Sequence, residues 1–111
     1  IPSVQLQKET YKDQFSNIEL ELIQLLLNQV QRGEKLNVES LNSILGVTKK
    51  STEVQRKQRS QTIAAINLKA KEILNFEEDL IIRLKNETDS RIISYSIQDK
   101  YLTRIASYFK S

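Results

Sequence analysis

The chain has 111 residues, 39% of them apolar and 28% charged, with a net charge of +3. This bounds it to about one globular domain with a single modest core and sets it apart from disordered chains. With no Cys, no His and only two glycines, Gly33 and Gly46, it excludes a disulfide framework and a zinc ribbon. The same absences weaken the case for acid–base catalysis and leave no material for a phosphate-cradling loop.

No run of apolar residues approaches a membrane span, and no signal segment opens the sequence. The lack of Cys fits a reducing cytosol, so a cytoplasmic location is expected. A start at Ile1 without Met fits a piece excised from a longer protein.

Residues 1–15 are weakly periodic and read as a leading arm or linker, with a short strand around Val4–Leu6. A helix start follows at "FSNIEL": Ser16 caps, Glu19 reaches back to its amide, and Phe15 and Leu20 form a hydrophobic staple. That helix runs to about Gln31, and its apolar set, from Ile18 to Val30, covers more than one stripe, as befits a central helix. Gly33 ends it, "EKLN" makes a brief extended segment, and Asn37 caps a two-turn helix closed by Gly46.

The next stretch, "VTKKSTEVQRKQRSQT", is the odd one. Residues 48–71 carry seven cations, Lys49, Lys50, Arg56, Lys57, Arg59, Lys69 and Lys71, against Glu53 alone, while the rest of the chain is slightly acidic. Charge confined in this way steers a polyanion. Within "SQTIAAINLKAKEILN", Ile63, Ile66, Ala70 and Ile73 mark the buried face of another helix. Ser60 caps it if it begins there. If residues 51–59 are helical as well it reaches about 24 residues, and propensity does not choose between the two starts.

"DLIIRL" and "RIISYSI" then read as a β-hairpin. Leu80, Ile82 and Leu84 share one face of the first strand, and Ile93, Tyr95 and Ile97 share one face of the second. The connector "KNETDS" is rich in turn formers. Asp99 is placed to cap a terminal helix over residues 99–111, with Leu102, Ile105 and Phe109 on one side, packed on the core or at a dimer seam.

The expected fold is therefore α+β, with a three-helix core over residues 16–98, a β-hairpin and an extra terminal helix. A short helix, a turn, another helix and a hairpin is the order of the winged helix-turn-helix. "SQTIAAINLKAKEIL", through Ser60, Thr62, Ile63, Ala70 and Leu74, resembles the third helix of response-regulator output domains. The element order also resembles small uncharacterised winged-helix-like modules of bacterial proteins. The likeness implies a winged helix rather than membership of the response-regulator class. Asn67 stands where those domains carry an apolar residue, and it reads here as a core amide with its hydrogen bonds met. The basic stretch would match the loop before the third helix.

The resemblance implies a DNA-binding domain, a transcriptional regulator or the output end of one, with double-stranded DNA as partner. The third helix would enter the major groove. Lys49, Lys50, Arg56, Lys57 and Arg59 would hold the phosphate backbone, and Gln61 and Thr62 are the candidates for base contact. Arg83, Lys85 and Arg91 would serve the wing, and a homodimer through the terminal helix would match two half-sites. The alternative is a winged helix used as a protein-interaction module in a larger signalling or assembly protein. No acid, base and nucleophile come together, so neither an enzyme nor a cofactor or metal is expected. The acidic run Glu72, Glu77, Glu78 and Asp79 reads as a turn entering a strand.

Overall fold

The computed structural model describes residues 13–109, and the strand expected around Val4–Leu6 lies outside them. The described residues are α+β, with helices packed on a small antiparallel sheet. Helix α1 (Asn17–Gln31) opens with a reciprocal cap. The Glu19 amide donates to Ser16 Oγ at 3.1 Å, and the Ser16 amide donates to Glu19 Oε1 at 2.7 Å, so two amides that lack helical partners are both satisfied. Leu22, Ile23, Leu26 and Leu27 are buried. That is two adjacent rows of one helix, which makes α1 the central element.

Strand β1 (Leu36–Asn37) leads directly into helix α2 (Val38–Leu45). Asn37 Oδ1 accepts from the Ser40 amide at 2.7 Å. Gly46 closes α2 with φ of +70°, a left-handed conformation that glycine adopts without steric cost.

Helix α3 (Thr52–Ile73) has 22 residues and begins at Ser51, whose Oγ accepts from the Val54 amide at 3.3 Å. Ser60 is therefore mid-helix, and the longer of the two expected helices is the one that forms. The basic stretch is not a loop: Lys49 and Lys50 lie on the turn, and Arg56, Lys57 and Arg59 lie on α3. The cause is a tertiary contact. Gln55 Nε2 donates to the Val47 and Thr48 carbonyls at 3.0 and 3.1 Å, fastening the turn onto the helix it precedes. At the other end Asn75 takes φ of +60°, the left-handed closing role that asparagine can share with glycine.

Strands β2 (Ile81–Lys85) and β3 (Ile93–Ile97) form the hairpin, and the sheet order is β1-β3-β2. The register pairs Ile81 with Ile97, Arg83 with Tyr95 and Lys85 with Ile93, while Leu36 of β1 meets Tyr95 from the other side. Directly paired residues share a face. The helix-facing side of the sheet therefore carries Ile81, Arg83 and Lys85 from β2; of the Leu80–Ile82–Leu84 set that alternation puts on one face, only Leu80, which precedes the strand, is buried in the core. Ile82 and Leu84 lie opposite Ser96 and Ser94 on the outer face, only half-buried.

A 3₁₀ turn (Asp99–Tyr101) leads into α4 (Leu102–Phe109). Asp99 lies inside this turn and does not cap it; Gln98 precedes the turn and instead donates its side-chain amide to the Asp79 carbonyl at 2.6 Å. Ile105 and Phe109 are buried in the core, where Phe109 meets Phe15 edge-on at 5.3 Å. Phe76 stacks on Tyr101 at 4.4 Å, and the Glu78 amide donates to Tyr101 Oη at 2.8 Å. No helix among the described residues is long and apolar enough to cross a membrane.

Candidate nucleic-acid interface

Which cations are left without an internal carboxylate is decided by the ion pairs of the fold. Lys69 Nζ lies 2.6 Å from Glu19 Oε1, and Lys71 Nζ lies 2.8 Å from Asp79 Oδ1. Two of the seven cations of residues 48–71 are therefore answered within the fold. Arg59 is half-buried on α3 and donates from Nη1 to Asn42 Oδ1 on α2 at 2.8 Å, while its Nε is buried without a hydrogen-bond partner among the described residues. It fastens α3 to α2 more than it faces outward.

Lys49, Lys50, Arg56, Lys57, Arg83 and Lys85 are exposed, and among the described residues no ion pair engages them. Arg91 differs. Its Nε and Nη2 donate to Asp89 Oδ1 and Oδ2 at 3.1 and 3.0 Å, and its amide donates to Oδ1 at 3.0 Å. The Arg91 guanidinium, helped by the Arg91 amide, holds the Asp89 carboxyl below the usual carboxylate range. Asp89 in turn raises Arg91 above its ordinary value. This hairpin arginine is thus folded onto its own turn.

That turn contains no glycine. Asn86 Oδ1 accepts from the Thr88 amide at 2.9 Å, the Thr88 hydroxyl at 2.7 Å and the Asp89 amide at 3.1 Å. An asparagine side chain here supplies the local bonds that hold a turn.

The two cationic groups meet between α3 and the hairpin. A groove of about 780 Å³ is lined by Arg56 and Arg59 from α3 and Arg83 from β2. Val38, Ile63, Ala64, Leu68 and Tyr95 supply apolar walls, and the Lys71–Asp79 pair also lines it. Arg56 and Arg83 therefore face the same side of the molecule. Along α3, Lys57, Gln61, Ala64 and Leu68 recur at helical spacing and are all exposed, making one outward row. Thr62 is half-buried and lies off that row. Asn67 is buried beneath the groove, with its amide spent on the backbone of Ile81.

Sequence reasoning missed that the exposed Arg83 lies on the helix-facing side of the sheet, and missed the role of Asn42. Neither has a local signal: one depends on strand register, the other on a bond spanning 17 residues. Among the described residues no cluster of His, Cys, Asp and Glu suited to a metal ion occurs. No known protein family, curated protein or solved structure matches the chain.

Proposed function

We propose that the chain is a DNA-binding winged-helix module, working in the cytoplasm as a transcriptional regulator or as the output domain of one. The element order α1–β1–α2–α3–β2–β3, with the hairpin's second strand between β1 and β2, is compatible with a helix-turn-helix followed by a wing. The observation that carries the reading is the convergence of Arg56 and Arg83 on one groove. In this reading α3 enters the major groove with Lys57, Gln61, Ala64 and Leu68 outward. Gln61 offers an amide to adenine, and Ala64 and Leu68 offer apolar contact to thymine methyl groups. Lys49, Lys50, Arg56, Lys57, Arg83 and Lys85 hold phosphates.

The test is a salt titration of binding to duplex DNA. Six phosphate contacts give log K against log salt a slope of about −5, and Arg83→Gln makes it shallower by about one. Absence of binding at low salt, or binding that ignores salt, overturns the reading.

A protein-interaction module is the second reading, and one feature favours it. Leu68 is 55% exposed and Val54 40% exposed on α3, whereas on the outward row only Gln61 has an amide that can pair with a base edge. Partner binding that survives charge reversal of the exposed Arg56 and Lys57 would select it.

A further inference from the structure

Arg83 breaks the rule by which its own strand is built. Across the helix-facing side of the sheet, Leu36, Tyr95 and Arg83 form one row. Two members of that row are core residues and the third is a guanidinium. Shifting β2 by one residue would put Ile82 and Leu84 on that side instead. The observed register leaves both of them only half-buried. It brings Arg83 against a groove that already holds Arg56 and Arg59. Local rules of this kind fail chiefly where a site needs them to.

The groove has the composition of a ligand site: apolar walls with a few charged groups brought together. Its volume of about 780 Å³ lies within the range of roughly 300–1,000 Å³ common for small-molecule sites. The single carboxylate on its lining, Asp79, is already paired with Lys71. Three arginines therefore face the space with no internal anion to answer them. Arg59 is held in place by Asn42 and keeps other donors, since a guanidinium has five N–H groups. Guanidinium forks favour carboxylate and phosphate over other anions because their geometries match.

We infer that this groove binds a small amphiphilic anion, with its carboxylate or phosphate against Arg56, Arg59 and Arg83 and its ring or short chain against Ile63, Ala64 and Leu68. The site shares Arg56, Ala64, Leu68 and Arg83 with the surface proposed for DNA, but it is read out without DNA, so its failure leaves the DNA reading standing.

The test uses the whole 111-residue chain, isotope-labelled, in amide-resolved NMR titrations. The probes are 1-naphthyl phosphate, 1-naphthoate, 1-naphthol and inorganic phosphate. The expected result is saturable shifts confined to the groove residues for naphthyl phosphate or naphthoate, at least tenfold tighter than for naphthol or inorganic phosphate. The comparison between the two naphthyl anions identifies which head group the site takes. Arg83→Gln and Arg56→Gln each weaken that binding at least tenfold, with the spectra still dispersed; the two positions are exposed, and either variant alone suffices.

Equal response to inorganic phosphate overturns the inference, as do shifts scattered over the other cations or binding unchanged in both variants. Groove peaks that move with protein concentration alone would assign the space to a second copy of the chain and overturn it equally.

Discussion

The side-chain amide of Asn67 and the backbone of Ile81 exchange two hydrogen bonds. Asn67 Nδ2 donates to the Ile81 carbonyl at 3.1 Å, and the Ile81 amide donates to Asn67 Oδ1 at 2.8 Å. A helix residue here does what a neighbouring strand would do, satisfying the backbone where β2 begins. Asn67→Leu keeps the volume but strands both backbone groups in a buried place. The expected loss is about 2–4 kcal/mol of stability, measured by urea unfolding. A native-like midpoint in that variant would show that the pair contributes nothing.

The first turns of α3 hang on fewer contacts. Arg59 reaches Asn42, and Gln55 reaches the carbonyls of Val47 and Thr48, while Thr52–Lys57 otherwise bury little. Asn42→Ala is expected to cost roughly 1 kcal/mol. Amide exchange should quicken over residues 52–59 and stay slow around Ile66 and Ala70. Uniform quickening along α3 would contradict a local tie.

These contacts mark where the sequence stopped being legible. The caps at Ser16 and Asn37 and the closing Gly46 could all be read, because each depends on residues within four positions of one another. The start of α3 could not. Ser51 and Ser60 are equally good caps, and the choice rests on Gln55 reaching back seven and eight residues. Nor could the register of β2. Leu80, Ile82 and Leu84 alternate as a core strand does, yet within β2 the pairing of Arg83 with Tyr95 leaves Ile82 and Leu84 on the outer face, and only Leu80 before the strand is buried. The cationic surface was legible as composition. Its subtraction by Glu19 was not, since pairing of Lys69 with Glu19 spans 50 residues; the Asp89–Arg91 pair is only two residues apart and was missed because turn charges so close together read equally well as solvated.

Asp89 restrains Arg91 on the exposed turn. Asp89→Asn removes the restraint and adds a net positive charge to the hairpin tip. If the chain binds DNA, affinity should rise and the salt slope should steepen by up to about one. No change would place the tip away from the nucleic acid.

The same pair carries a pH dependence. Asp89 has its carboxyl held low in the fold, so its contribution is present above the unfolded-state value and is lost as pH falls through the lower folded value. Acid titration followed at the Arg91 amide should show the turn loosening below the ordinary carboxylate range, while the core amides stay unmoved. Loosening at or above that range would contradict the sign.

Glu19 and Lys69 differ in what each loses when the other is removed. Glu19 is buried, with its carboxylate also capping α1, whereas Lys69 is partly exposed and lies over the Phe15 ring at 5.7 Å. Lys69→Met leaves a buried carboxylate without its cation, at an expected cost of about 2 kcal/mol. Glu19→Gln keeps an acceptor at the cap and frees an ammonium that can reach water, so it should cost less. Thermal unfolding of the two variants checks the order, and equal losses would refute it.

The continuity of α3 has a mechanical result. Lys57 and Asn67 lie on one unbroken helix, ~15 Å apart along its axis, and Asn67 grips the strand that carries Arg83. Pushing on the outer end of that rod therefore tugs the ribbon with it. Whatever seats itself between the two meets jaws of set spacing rather than two arms that flex separately.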